Sequence, residues 1–114
     1  MAAKHVGEFL YPVKLMYFVE KLRVIGQTNL GMVYAGERPI PNGAEVKVKK
    51  SISFFSWGEE ITVTLTGQSN GTHIRIHSEC ALPTQIVDWG ENEKNVTALF
   101  RYFEDRMPGR PISG

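Results

Sequence analysis

Four residues on one stretch carry the side chains best equipped for chemistry: His73, Arg75, His77 and Glu79. Alternate residues of a β-strand project to one side, so two imidazoles, a guanidinium and a carboxylate would stand in a row, ~6–7 Å apart. The metal reading of that row fails on distance. His73 and His77 lie roughly 13 Å apart along a strand, whereas zinc ligands sit about 2 Å from the ion. A zinc site would need His77 with Glu79 and partners from elsewhere. Lys47 and Lys49 occupy the polar alternation of another segment and join the same surface if the segments pair, as do Thr62, Thr64 and Thr66. Lysine, arginine, histidine and hydroxyls together suit a phosphate or a nucleic-acid backbone. Sheets that bind RNA, however, place stacking aromatics on their central strands, and here the centre offers only threonines. The plainer reading is a solvated sheet face whose ion pairs are worth at most about 1 kcal/mol each.

A second group could line a pocket: Lys50, Asp88, Trp89 and Asn92. Helix-terminal N–H groups beside an indole can hold a small ligand. The structural alternative has Asp88 capping a helix and Trp89 sealing one end of the core, as a hydrophobic staple does. Cys80 invites a nucleophile reading with His77, but their odd spacing on one strand points them to opposite faces. Cys80 instead shares the core side with Ile74 and Ile76, as a buried, inert thiol. The chain contains no Gly-x-Ser-x-Gly elbow, phosphate loop, His-Glu-x-x-His or Cys-x-x-Cys, so hydrolase, nucleotide-binding and zinc-ribbon readings lack their sequence basis.

The elements that must position these residues follow from periodicity. Residues 5–11 alternate as a short first strand. Leu15, Phe18, Val19 and Leu22 recur at three- and four-residue steps and predict a helix over 12–25, stopped near Gly26. Residues 30–36 read as a Gly-flanked strand, and Pro39-Ile40-Pro41-Asn42-Gly43 reads as a loop because proline cannot donate a ladder hydrogen bond. Residues 44–56 alternate Val46, Val48, Ile52 and Phe54 against Glu45, Lys47, Lys49, Ser51 and Ser53. Lys50 breaks the pattern, which predicts a bulge at 49–50 or a strand end that frees the amine. Ser56-Trp57-Gly58-Glu59 reads as a turn. Strands at 61–66 and 72–80 follow, joined through Gly67–Gly71. A closing helix after Asp88 or Gly90 presents Val96, Leu99, Phe100, Phe103 and Met107 as one apolar stripe, and Pro108 stops it. The expected architecture is α+β in the order β-α-β-β-β-β-α: a four- or five-stranded, mostly antiparallel sheet with two helices on one face. Residues 1–107 form one domain, and 108–114 form a flexible tail.

Composition narrows the function. With 114 residues the chain suits one core, and its formal net charge of +1 supplies no global field toward nucleic acid or anionic membrane. A single cysteine excludes an internal disulfide and fits a reducing, cytoplasmic setting. No run approaches the roughly 18 apolar residues of a membrane span. Residues 52–103, with the SWGEE hairpin, the strand end Ser78-Glu79-Cys80, and LPTQ followed by Trp89-Gly90-Glu91-Asn92 and Asn95, resemble a group of small, functionally uncharacterised bacterial α+β domains. The resemblance brings no activity, cofactor or catalytic residue, and implies an accessory or interaction module. The expectation is a non-enzymatic binding or protein-interaction domain with a protein partner or self-association. No cofactor, nucleic acid or membrane is expected. The alternative is a small-molecule binder or enzyme with its site between sheet and helices near Trp89.

Overall fold

A computed structural model describes residues 3–51, 58–82 and 90–107. Its elements are β1 (Lys4–Tyr11), α1 (Leu15–Arg23), a 3-10 turn (Ile25–Gln27), β2 (Met32–Ile40), β3 (Gly43–Lys50), β4 (Glu59–Gln68), β5 (Gly71–Cys80) and α2 (Glu91–Glu104). The five strands form one sheet in the order β1-β5-β4-β3-β2, each pair antiparallel. The β-α-β-β-β-β-α order expected from periodicity is therefore present, with five strands.

Both helices lie on one face of the sheet, where period-2 strands and period-3.6 helices bring their apolar residues together. Val46, Val48, Ile61, Val63, Leu65, Ile74 and Ile76 line the inner face, and Phe18, Leu22, Leu99 and Phe103 cover them, all at 0–1% exposure. Side chains thus fill the middle of this two-layer domain. α1 rests on β3 and β4, whereas α2 rests on β1 and β5. The helices meet at one end. The Tyr17 hydroxyl donates to the Phe103 carbonyl (2.7 Å), and the Lys21 amine donates to the Tyr102 carbonyl and lies 4.4 Å from the Tyr102 ring centroid. Burial lowers the Lys21 pKa, and the neighbouring Asp105 opposes that shift.

Several boundaries differ from expectation for identifiable reasons. β2 continues through Pro39 to Ile40, so the connection to β3 is only Pro41 and Asn42. β2 is an edge strand, and edges tolerate the proline that a central strand rejects. Asn42 supplies the turn's positive φ of 59°. Gly43 serves a different need: a Cβ there would fall 1.8 Å from the Leu65 carbonyl oxygen of β4. The first helix begins at Leu15 and ends at Arg23, and the 3-10 turn completes the expected helical stretch. No bulge falls at 49–50, because Lys50 pairs in regular register with Met32 and Glu59. The register shift lies instead between Tyr34 and Gly36 on β2. The N-cap of α2 is Gly90, at φ 79°, not Asp88. Asp88 and Trp89 lie outside the described residues, as do Ile52 to Trp57, Pro83 and the tail from Pro108.

Candidate ligand cleft and outer sheet face

One end of the inner sheet face is polar. Met32, Lys50, Glu59 and Cys80 fall in one cross-strand row, with Ser78 on the same face one step further in. The first turns of α2 set Glu91, Asn92 and Asn95 above them. Glu59, Ser78, Asn92 and Asn95 are at most 2% exposed. Buried polar atoms at this depth require partners. Asn95 supplies them by donating from Nδ2 to Glu59 Oε1 (2.8 Å) and Ser78 Oγ (3.1 Å), and by accepting from Lys50 Nζ at Oδ1 (2.9 Å). Asn92 accepts from Ser78 Oγ (2.8 Å) and donates to the Ala3 carbonyl (3.0 Å), with Cys80 Sγ at 3.4 Å. Glu91 lies 3.5 Å from both Lys50 Nζ and Lys94 Nζ. Its position in the first helical turn also places its negative charge where the helix dipole favours one.

Of the residues read as a pocket from sequence, Lys50 and Asn92 thus belong to one hydrogen-bonded cluster, linked through Asn95 and Ser78. Glu59, Glu91 and Asn95 were not singled out as pocket residues. Sequence parity marks two of them, Glu59 and Asn95. Glu59 has the parity of Ile61, Val63 and Leu65, and Asn92 and Asn95 fall on the stripe of Val96, Leu99 and Phe103, so each is a polar residue at an apolar position.

A cleft of about 550 Å³ opens beside this cluster at the end of the sheet. Gly26 and Thr28, Met32 and Val33 of the β2 entry, and the charged Lys49, Lys50, Glu59 and Glu60 are among the residues that line it. An ammonium group has three N–H donors. Asn95 and Glu91 engage two from Lys50, whose side chain is 24% exposed.

The outer sheet face carries the other predicted group. Lys47, Lys49, His73, Arg75, His77 and Glu79 all lie there, interleaved by the register with charges of both signs, although Glu79 faces Glu60 directly. One row is Lys4-Glu79-Glu60-Lys49, and another sets Glu8 beside Arg75 and Glu45 beside Arg38. Glu45 accepts two hydrogen bonds from the Arg38 guanidinium, which hold its carboxyl below the usual carboxylate range. Lys47 donates to Thr62 Oγ1 (2.7 Å), and His73 lies 3.5 Å from Glu8. Burial lowers the His77 pKa. Glu79 opposes that shift, and Arg75, Lys4 and Lys47 reinforce it. Among the described residues, no three His, Cys, Asp or Glu side chains converge as metal ligands would. Cys80 is 3% exposed on the inner face, across the sheet from His77.

No family model and no curated protein sequence matches the chain. Among solved structures, the crystal structure of Ara h 8.0201 is similar at 10% sequence identity and a TM-score of 0.54, with 92% of this chain and 97% of that one covered. At that identity the likeness concerns the fold alone.

Proposed function

We propose that the protein is a non-enzymatic binding domain whose ligand is a small molecule held in the cleft at the open end of the sheet. The observation that carries this reading is the cleft's volume of about 550 Å³, with the partly exposed ammonium of Lys50 among the groups that line it. Pockets of roughly 300–1,000 Å³ take small ligands when an apolar wall is joined by a few placed polar groups. Met32 and Val33 provide the apolar side, and Lys50 provides the donor. The expected ligand therefore joins a compact apolar body to a carboxylate or carbonyl oxygen. The fold shared with Ara h 8.0201, a Bet v 1-like fold, is compatible with that reading.

Asp88 and Trp89, the other half of the pocket expected from sequence, lie outside the described residues. The test is amide chemical-shift mapping against a panel of small carboxylic acids and ketones. Shifts should cluster at Thr28, Gly31, Met32, Lys50 and Gly58, and Lys50→Met should remove them. A panel that leaves those amides unmoved, or moves residues on the outer face instead, sinks the reading.

A further inference from the structure

The two edges of the sheet are built differently. β2 carries Pro39, a register shift between Tyr34 and Gly36, and the exposed charges of Glu37 and Arg38. Each of these discourages a second strand from pairing there. β1 has neither a proline nor a register shift, and its exposed charges, Lys4 and Glu8, are of opposite sign. It keeps unbroken register with β5 over all eight residues and exposes Val6 (37%), Phe9 (54%) and Leu10 (44%).

The ladder shows which backbone groups of β1 face outward. The Cys80 N–H donates to the Ala3 carbonyl. Hydrogen-bonded residues alternate along an antiparallel pair, so Ala3, His5, Gly7 and Phe9 bond toward β5. Lys4, Val6, Glu8 and Leu10 therefore present their N–H and C=O groups to the free edge. A strand that adds there in antiparallel fashion must meet these even-numbered residues with outward-facing groups of its own.

A second copy of β1 meets that requirement, and the side chains select its register. We propose that the protein forms a symmetric dimer by antiparallel pairing of β1 with β1 of a second copy, centred on Val6. This register sets Val6 against Val6 and Lys4 against Glu8, the latter twice by symmetry, and places the large Phe9 opposite the small Ala3. Centring on Gly7 instead sets Val6 against Glu8 and Lys4 against Leu10. Centring on Glu8 sets carboxylate on carboxylate, which is destabilising in directly opposed positions. Only the Val6 register matches charge with charge and apolar with apolar.

Even-on-even pairing puts the two-fold axis perpendicular to the sheet, so the helices of both copies share one face. Gly7 lies beneath α2: a Cβ there would stand 2.7 Å from Val96 and 3.0 Å from Phe100. With strands ~4.8 Å apart, a helix seated over the β1–β5 groove would lie roughly 10 Å from its copy, close to helix-packing distance. Phe9, which contacts Phe100 edge to face at 4.9 Å between centroids, would extend the contact into that layer. The cleft, on the β2–β3 side, stays open in the dimer.

Light scattering on the full chain reads the assembly, with charge-swapped variants testing the register. Wild type should weigh twice the 12.8 kDa chain mass. Lys4→Glu alone and Glu8→Lys alone each place like charges opposite one another and should weaken the dimer roughly tenfold or more. An equimolar mixture of the two restores both opposite-charge pairs and should regain the dimer. Val6→Pro removes an outward N–H without touching the β5 ladder and should give a monomer with unchanged far-UV circular dichroism. If Val6→Pro unfolds, the mixing experiment decides. A wild type that is monomeric up to millimolar concentration overturns the proposal, as do single variants that dimerise like wild type or a mixture that stays monomeric.

Discussion

Asn95→Ala should be among the most damaging single substitutions in the polar end of the domain, although it removes no apolar core group. Asn95 makes three hydrogen bonds at 0% exposure, to the Glu59 carboxylate, the Lys50 ammonium and the Ser78 hydroxyl. Bonds to charged groups contribute about 1.5–3 kcal/mol each and a neutral one about 1 kcal/mol. The sum is roughly 4–7 kcal/mol, and water entering from the adjacent cleft would recover part of it. A net loss of about 3 kcal/mol is expected. At about 2.1 cal/mol/K per residue, 114 residues unfold with an entropy of roughly 0.24 kcal/mol/K, so the midpoint should fall by about 12 °C. Urea titration followed by circular dichroism measures the free energy, and Thr97→Ala, exposed on the same helix, serves as the control. A loss below about 1 kcal/mol with an unchanged denaturant slope would refute the claim that Asn95 organises this cluster.

Gly7→Ala should destabilise by about 1–3 kcal/mol through overpacking, since its Cβ would stand 2.7 Å from Val96 Cγ1; thermal unfolding, read against Ala3→Gly as a neighbouring control, checks it. The His77 pKa is depressed in the fold below its ordinary 6.5, chiefly by burial, so the unfolded chain takes up the proton first. Stability present above pH 6.5 should therefore decline as pH falls from 6.5 through the folded-state value, and His77→Gln should flatten that part of the profile. A wild-type profile identical to that of the glutamine variant would discount the burial of His77.

Periodicity made most of the fold legible because each element has one strongly apolar side. Ile61, Val63 and Leu65 could belong only to a half-buried strand, and Val96, Leu99, Phe100 and Phe103 only to a helix that covers it. Boundaries were legible where local chemistry alone decides them and obscure where tertiary position decides. Pro39 forbids a central strand yet permits an edge, and the sequence does not say that β2 is one. The polar end of the core was half visible. Lys50 stood out as a charge on an apolar face, but its relief through Asn95 and Glu91 depends on α2 lying across β5. Spacing within a segment cannot show a contact across 45 residues of chain. The outer face was legible by parity, since His73, Arg75, His77 and Glu79 do share a side, but which charges stand opposite one another required the strand order.

The polar cluster also has a role that stability alone does not describe. An apolar helix on an apolar sheet can shift along it by a turn at little cost, because hydrophobic burial is not directional. Ser78, Glu59 and Lys50 bond Asn92 and Asn95 in the present seating, so together they favour one seating of α2. Buried polar groups commonly contribute less to stability than apolar residues of the same shape, and they are retained in some proteins for such specificity. Replacing the cluster jointly, with Lys50→Met, Glu59→Met, Ser78→Ala, Asn92→Leu and Asn95→Leu, should leave the unfolding free energy within about 2 kcal/mol of wild type, in contrast to Asn95→Ala alone. The amide spectrum of α2 should then broaden or double as alternative seatings exchange, while the β4 and β5 resonances stay sharp. A single sharp set of α2 resonances in that variant would show that the apolar stripe seats the helix unaided.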